Sequence, residues 1–431
     1  DKRKARKNNG AKRDMHYEME QEEHDVYPDD PDFDINKARL VTTAPRICVR
    51  YECVPMRFIK HVYKIHTYAQ DGRLFEGKTP VSAFLNSSYD GSFIAGLMEL
   101  RYIQSLPVER IINYFESHGF TLKKPTAHKL MEKASSLFEN LYKCIRQTAL
   151  SDPYKAADET YYKILVPEKN SKGKGVRKGY LWVVVGINTR MIYLLYDDGS
   201  RSEKVILNEL GGCKGIIQSD GYSPYRKLES DAYPHITRIP CLQHIKRKFI
   251  DCGEDEPDAK RIVELINTLY QNEHKHKIGV DGWTVEQNLV HRKKYAPDIL
   301  GEIKDVLDDI EERGDLLPKS ELKEAITYLR NEWNAVVDIF NYGDTYLDNN
   351  IVERMNRYIS LSRKNSLFFG SHKGAERGAI LYTIALTCRM NKVNLFEYLT
   401  DVINRTAEWQ PNTPLEKYRQ LLPDRWEKAN D

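Results

Sequence analysis

Apolar residues cluster in five short segments between residues 156 and 241, and this pattern predicts the strands of a sheet. The segments are rich in Val, Ile, Leu and Tyr, which are common in strands. Two helical patterns, RSEKVILNELGG and YSPYRKLE, separate the later strands. Three adjacent strands followed by alternating helix and strand predict an α/β protein with a mixed sheet and helices on its faces. The predicted strands are DETYYKILV, YLWVVVGI, MIYLLYDD, GIIQSD and HITRIPC.

Residues 91–150 instead carry apolar residues at helical spacing. Pro107 and Pro125 stand where two of these helices are expected to begin, because proline is favoured in the first turn of a helix. A helix, a short turn through Gly119 and a second helix from Thr126 are typical of a helix-turn-helix, which would bind DNA. Generic helix packing explains the same pattern equally well, so both interpretations stand.

Residues 243–340 show long helical runs and no strand pattern. A structureless connection of this length would be implausible inside a compact domain. We therefore predict an all-helical insertion at 253–343 that interrupts the sheet core. The core is then expected to resume with the helices DNNIVERMNRYISLSRK and AERGAILYTIALTCRMN.

The N-terminal region is dominated by charge. Seven Lys or Arg lie within residues 2–13, and ten Asp or Glu lie within residues 14–34. Neither block offers enough apolar surface to offset the entropy cost of ordering, so we expect a disordered tail. The run RICVRYECVPMRFIKHVYKIHTY at 46–68 then predicts two short strands. The predicted organisation is a tail at 1–40, a small β module at 41–85, a helical domain at 86–150, a sheet core at 151–252 and 344–431, and the helical insertion at 253–343.

The composition excludes two classes of protein. A net charge of +3 over 431 residues is too small for a uniformly basic nucleic-acid binder, so any such contact must come from local basic patches. The longest apolar stretches, such as 180–187, are far too short to cross a membrane. The seven cysteines include no C-x-x-C pair, which favours free thiols in a reducing cytoplasm.

Three acidic residues could act together on phosphate chemistry. Asp158 lies at the start of the first predicted strand, Asp220 follows the fourth, and Glu353 falls in the first turn of a helix. The first and fourth strands can be neighbours in a mixed sheet, which would bring Asp158 and Asp220 to one edge. Three convergent carboxylates suit Mg²⁺, a hard cation that prefers oxygen ligands and keeps waters for substrate phosphates. A pair of such ions, for which Mn²⁺ can substitute, would support in-line displacement at a phosphodiester.

Each carboxylate also has an ordinary interpretation. Asp158 taken alone would be a surface residue. Asp220 and Gly221 could form a hairpin turn, although the YSPYRKL that follows is not an alternating strand. Glu353 could be the partner of Asn350 in a capping box.

Several motifs, taken in order, resemble the transposases of the bacterial insertion sequence 66 family. They are ADET, GYLWVVV, QSDGY, the C-x-x-H-x-x-R-K-F run at 241–249, DNNIVERMNR and SRKNSLFFGS, and the resemblance spans roughly residues 85–425. It implies a ribonuclease H-like catalytic core. It also implies that Asp158, Asp220 and Glu353 are the DDE catalytic triad and the metal ligands.

Other residues on the helix of Glu353 are expected to support the triad. Arg357 lies one helical turn after Glu353 and could hold it in place or contact a phosphate. Arg354 and Asn350 are weaker companions.

The cysteines provide no complete zinc site in the sequence. Cys241 and His244 are two ligands too few, so we expect a structural role beside the active site, with His244 supporting a carboxylate or contacting DNA. Many members of the family carry a module of paired, zinc-binding cysteines before the core. Here only Cys48 and Cys53 stand in that region, so we expect the β module to fold without metal.

A Gly- and Lys-rich loop, PEKNSKGKGVRKG, follows the first predicted strand. Its spacing differs from the nucleotide-binding pattern G-x-x-x-x-G-K-[ST]. We expect Lys172, Lys174 and Arg177 to bind the DNA backbone in a sequence-independent, salt-sensitive manner.

These observations predict a bacterial, cytoplasmic and nucleoid-associated DDE transposase that depends on Mg²⁺. The expected partners are double-stranded DNA, as terminal inverted repeats and as target, a second copy of the chain in a dimer, and small accessory proteins, with no membrane. Two alternatives remain. One is a domesticated DNA-binding protein without catalysis, against which the three retained carboxylates argue, and the other is a ribonuclease H-like nuclease or resolvase.

Overall fold

A computed structural model of the chain describes residues 56–62, 64, 67–70, 73–76, 82–84, 87–169, 173, 175–314, 316–407, 409–410 and 412–428. The chain divides into two units, Asp1–Met56 and Arg57–Asp431. All that follows concerns the second unit. The predicted tail at 1–40 lies outside the described residues, and so do Cys48 and Cys53.

A short antiparallel hairpin precedes the helical region. β1 (Thr67–Gln70) pairs with β2 (Arg73–Glu76). Two strands were predicted within 46–68: the described residues 56–62 form no strand, and only Thr67 and Tyr68 belong to one, at the start of β1. The apolar residues of 56–62 serve another purpose: the ring of Phe58 packs on Phe93 and Phe115, at centroid distances of 5.9 and 4.9 Å. The apolar pattern that suggested a strand instead anchors this segment to helices.

Four helices follow, as the apolar spacing predicts. Pro107 precedes the second helix as its N-cap, Pro125 lies in the first turn of the third, and Gly119 takes a φ of +82° in the turn between them. The third helix begins at 124, two residues earlier than expected. The helical prediction is therefore confirmed, whereas DNA binding by this region stays a prediction. The helices are α1 (Gly91–Tyr102), α2 (Val108–Ser117), α3 (Lys124–Leu137) and α4 (Glu139–Ser151).

Five strands form one mixed sheet in the order β5-β4-β3-β6-β7. β4 pairs antiparallel with both β3 and β5, whereas β6 pairs parallel with both β3 and β7. The predicted adjacency of the first and fourth strands of this sheet is confirmed. The strands are β3 (Tyr154–Leu165), β4 (Val176–Gly186), β5 (Met191–Leu195), β6 (Gly215–Ser219) and β7 (Ile236–Pro240).

β3 begins earlier than the sequence predicts. Asp158 was expected at the start of the strand, but β3 begins at Tyr154 and Asp158 is its fifth residue. Tyr154, Ala156 and Ala157 are buried and belong to the paired part of the strand. Because a strand covered on both faces need not alternate, this segment gave no period-two signal.

Helices connect and cover the strands. α5 (Glu203–Leu210) leads from β5 to β6, and the short α6 (Ser223–Arg226) leads from β6 towards β7. These positions agree with the two helical patterns in the sequence.

The region after β7 is helical, as predicted, and within its described residues it contains no strand. Its buried apolar side chains form one cluster with Tyr154, Ile216 and Ile239 of the sheet. The helical region is therefore built onto the β6–β7 side of the sheet and shares its core. Its helices are α7 (Leu242–Asp251), α8 (Pro257–Glu273), α9 (Val285–Arg313) and α10 (Glu321–Ile339).

The last helices return to the sheet. α11 (Asn350–Asn365) packs on β3, and α12 (His372–Met390), which is buried along most of its length, packs on β5. α13 (Leu395–Thr406) and α14 (Leu415–Arg419) complete the described chain, and α13 packs against α1. No helix in the described ranges is both long and apolar enough to cross a bilayer.

Candidate active site

The pairing of β3 with β6 brings two acidic residues together. Ala156 pairs with Gln218, and continuing this parallel register by two residues places Asp158 opposite Asp220. Asp220 directly follows the last residue of β6. Asp158 and Asp220 are far apart in the sequence, but the pairing of β3 with β6 brings them close together.

The carboxyl group of Asp158 is held by two hydrogen bonds. The backbone N–H of Glu159 donates to Oδ1 over 2.8 Å, and Nδ2 of Asn356 donates to Oδ2 over 2.6 Å. Burial raises the pKa of Asp158 to about 8, and the negative charges of Glu159 and Asp220 add to this effect. An adjacent cation would favour the ionised carboxylate and lower this pKa again.

Helix α11 is clamped onto β3 around Glu353. Nδ2 of Asn349 donates to the backbone oxygen of Ala157 over 3.0 Å, and Asn356 binds Asp158 as described. Glu353 lies between these two asparagines in the first turn of the helix. The clamp fixes the part of α11 that carries Glu353 next to Asp158.

Glu353 also has two neighbours from the start of α7. Nδ1 of His244 lies 3.8 Å from Oε1 of Glu353. The backbone N–H of Asn349 donates to Sγ of Cys241 over 3.2 Å. Burial raises the pKa of the Cys241 thiol to about 12. His244 and Cys241 therefore connect α7 to the first turn of α11.

Asp220 is supported from the helical region. Arg238 donates to the backbone oxygen of Asp220 over 3.2 Å, and its guanidinium forms a fully buried ion pair with Glu332 of α10. Tyr328, also from α10, accepts a hydrogen bond from the N–H of Gly221 over 2.8 Å. A Cβ at position 221 would lie 2.4 Å from the Tyr328 oxygen, so only glycine fits this turn.

An open cavity of about 340 Å³ lies beside the carboxyl group of Asp220. Asp220 and His244 both line it, which places the His244–Glu353 pair at its wall. The side chains of the cavity walls include three cations. Its lining residues are Arg201, Asp220, Gly221, Tyr222, His244, Arg247, Lys248, Asp251 and Tyr328.

A strip of alternating tyrosines and cations runs from β3 and β4 towards this cavity. Lys178 lies 4.3 Å from the ring of Tyr161 and 5.2 Å from that of Tyr180. Arg201 lies 5.2 Å from the ring of Tyr180 and 4.1 Å from that of Tyr222. We call these residues the tyrosine–cation strip: Tyr161, Lys178, Tyr180, Arg201 and Tyr222.

Comparison with known proteins identifies the family of this chain. A family model described as Transposase IS66 family matches residues 86–377. The chain belongs to this family. It is 26% identical over 346 residues to the uncharacterized protein y4jD of Sinorhizobium fredii, covering 77% of this chain but only 65% of y4jD. It is 24% identical over 438 residues to the uncharacterized protein y4hP of the same organism, covering 92% of this chain and 76% of y4hP.

In this IS66 family member the predicted companions of Glu353 point towards solvent, where contact with a phosphate stays a prediction. Arg357, Arg354 and Asn350 are exposed, and within the described structure no ion pair joins Arg357 to Glu353. The side chain that reaches the carboxylates from α11 is Asn356, three residues after Glu353. This spacing was a usable signal, because positions three apart lie on the same side of a helix.

The ordinary interpretations of Asp220 and Glu353 are wrong in this IS66 family member. Asp220 leads into α6 rather than into a hairpin, since β6 and β7 are parallel. Asn350 is the first residue inside α11, and the N-cap Asn349 makes no capping hydrogen bond with its side chain. Glu353 is therefore not part of a capping box.

The predicted basic loop is described only in part. Arg177 is exposed on β4, next to Lys178, whereas Lys172 and Lys174 lie outside the described residues. Sequence reasoning missed Asn349, Asn356, Tyr328 and Arg201, whose roles depend on contacts between distant segments.

Proposed function

We propose that this IS66 family member is a DDE transposase that cleaves and joins DNA strands, with Asp158, Asp220 and Glu353 as its catalytic residues. One observation supports the proposal: three acidic residues that are distant in the sequence are linked to one another in the region beside the cavity that Asp220 lines. Asp158 neighbours Asp220 on paired strands and is bonded to the helix of Glu353, while His244 links Glu353 to the cavity that Asp220 lines.

The order of the strands supports a ribonuclease H-like core. Counted from β3, the sheet runs 3-2-1-4-5, with the first three strands antiparallel and the last two parallel to the first. This is the arrangement expected of that fold. Asp158 lies on the central strand, Asp220 directly follows its parallel neighbour β6, and Glu353 lies on α11, which packs on β3.

The residues present fit two Mg²⁺ ions, for which Mn²⁺ can substitute. The three carboxyl groups supply the oxygen ligands that Mg²⁺ prefers. Oε1 of Glu353 is buried and, within the described chain, has no hydrogen-bond partner, and Asp158 is kept protonated only by burial and nearby negative charge. When bound, the ions would activate the attacking oxygen and stabilise the leaving oxygen of a phosphodiester.

The remaining residues of the site would orient the catalytic carboxyl groups and bind DNA. Asn356 fixes the rotamer of Asp158, and His244 positions Glu353. Arg201, Arg247 and Lys248 line the cavity, where they would bind backbone phosphates by charge. The tyrosine–cation strip offers aromatic faces and cations side by side, a surface that suits a nucleic-acid strand.

The proposed partner is double-stranded DNA, first as the terminal inverted repeats of the element and then as the target. Transposition must join two ends, so we expect a dimer on DNA, with small accessory proteins as further candidates. Activity in the bacterial cytoplasm, at the nucleoid, follows from this role.

A cleavage and strand-transfer assay tests the proposal. The full chain is incubated with labelled DNA carrying the ends of its own element, a target plasmid and Mg²⁺. We expect Asp158→Asn, Asp220→Asn and Glu353→Gln each to lower the rate by at least about a hundredfold. DNA binding, measured in parallel, should persist in all three. Asp231→Asn, which changes an exposed aspartate away from the site, is the matched control.

Two outcomes contradict the proposal. Binding of the ends without Mg²⁺-dependent cleavage would point to a DNA-binding protein that has lost catalysis. Faster cleavage of RNA–DNA hybrid or branched DNA than of the element ends would point to a nuclease or resolvase.

A further inference from the structure

We propose that Cys241, His244 and Glu353 form a binding site for a thiophilic divalent cation, with Zn²⁺ the best match. Their ligand atoms, one sulfur, one ring nitrogen and one carboxylate oxygen, all lie within 4.8 Å of one another. A tetrahedral Zn²⁺ needs roughly 3.3–3.8 Å between ligand atoms, given its bond lengths of about 2.0–2.3 Å. The 3.8 Å from Nδ1 of His244 to Oε1 of Glu353 is within a few tenths of an ångström of the roughly 3.3–3.5 Å that a nitrogen and an oxygen ligand need.

The third ligand is invisible in the sequence. Cys241 and His244 stand three residues apart at the start of α7, on one side of the helix, and Glu353 arrives from α11. Three protein ligands leave a fourth position for water, as in open zinc sites, whereas closed structural sites use four protein ligands.

Unpaired polar atoms support the site independently of these distances. Nδ1 of His244 and Oε1 of Glu353 are both buried, and neither has a hydrogen-bond partner within the described chain. Burying polar atoms without hydrogen-bond partners costs free energy, and a bound ligand would recover that cost. One cation between them would satisfy both.

The surroundings suit a metal thiolate. Sγ of Cys241 accepts a hydrogen bond from the N–H of Asn349, which stabilises negative charge on sulfur. His244 lines the cavity next to Asp220, so an ion can enter from solvent and a water can complete its shell. Binding would release the thiol proton to water.

The donor set distinguishes this site from the Mg²⁺ site of the proposed function. Sulfur and imidazole select Zn²⁺ or Co²⁺, whereas Mg²⁺ prefers oxygen alone. Glu353 belongs to both sets. We therefore expect Zn²⁺ to inhibit strand transfer by withdrawing Glu353, and this consequence, unlike the site itself, rests on the proposed function.

Co²⁺ titration of the full chain tests the site without any activity measurement. We expect a thiolate-to-cobalt absorption band that saturates at one ion per chain and disappears when Zn²⁺ is added. Cys241→Ser should abolish the band. His244→Gln and Glu353→Gln should weaken binding on the order of a hundredfold, since even changes outside the ligand shell cost ~10–100-fold.

Matched variants separate this site from other thiols. Cys252→Ser removes a partly exposed thiol at the other end of α7, and a Cys48→Ser, Cys53→Ser variant removes the two cysteines outside the described residues. Both should keep the band, and so should Asp158→Asn. Absence of the band in the wild type, or its persistence in folded Cys241→Ser or at full affinity in His244→Gln, would overturn the proposal.

The inhibition has its own test. Zn²⁺ should inhibit the wild type more strongly at low than at high Mg²⁺, and Cys241→Ser should resist inhibition. A wild type that shows the cobalt band but has no strand-transfer activity would refute the proposed function and leave the metal site standing.

Discussion

Asp158 has a carboxyl group whose surroundings favour its protonated form. Burial, together with Glu159 and Asp220, raises its pKa from an ordinary 3.8 to about 8. The folded chain therefore holds this proton more tightly than the unfolded chain does. The resulting contribution to the free energy of unfolding is complete below about pH 4 and is lost as the pH rises through about 8.

We predict that replacing the carboxyl group of Asp158 removes its contribution to the pH dependence of stability. In metal-free buffer, Asp158→Asn should lose the component of stability that falls between about pH 4 and about pH 8, and above about pH 8 it should be more stable than the wild type. Urea unfolding at a series of pH values measures the difference. If the free energy of unfolding of the wild type and of Asp158→Asn changed with pH in the same way across this range, the raised pKa of Asp158 would be refuted.

The sequence could indicate the three acidic residues but not the groups that hold them. Asp158, Asp220 and Glu353 stand in motifs that resemble a known family. Tyr328 stands in no such motif, and the spacing of Asn356 places it on the same side of α11 as Glu353 without showing what it contacts. Only the packing of α11 on β3, and of α10 on β7, determines what they touch.

At the scale of elements, β3 and β4 carry most of the tyrosine–cation strip, which lies next to the candidate site. Tyr161 and Tyr180 are direct partners across the two strands, and Lys178 covers both rings. Cations that bind DNA phosphates displace counterions, so each one contributes to the salt dependence of binding.

We predict that Lys178→Ala weakens DNA binding by the full chain and lowers the slope of log affinity against log salt by about 1. Lys143→Ala, an exposed lysine of α4, should leave both quantities unchanged. Fluorescence anisotropy at several salt concentrations provides the measurement. An unaltered slope for Lys178→Ala would exclude the strip from the DNA interface.

Most helices and strands could be predicted, and the errors have physical causes. The start of β3 was missed because its first residues are buried on both faces and do not alternate. The strands expected within 46–68 were misplaced because Phe58 serves an aromatic cluster with α1 and α2 rather than a sheet. The local pattern of apolar residues indicates which residues are buried, but a strand and an aromatic cluster can bury the same residues.

At the scale of the whole molecule, the helical region helps to build the candidate site. Its core is continuous with the sheet, and α10 contributes Tyr328 and the Glu332–Arg238 ion pair that support Asp220. The helical content of this region could be predicted from its spacing. Its attachment to the β6–β7 side could not, because strand order depends on contacts that no local pattern encodes.

Anomalous diffraction from crystals of the full chain soaked in Mn²⁺ would show whether the three distant carboxyl groups hold divalent ions together. We expect Mn²⁺ peaks within bonding distance of Asp158, Asp220 and Glu353, and loss of these peaks in Asp158→Asn crystals. A wild-type map without Mn²⁺ at these residues, or with Mn²⁺ bound only elsewhere, would contradict this expectation.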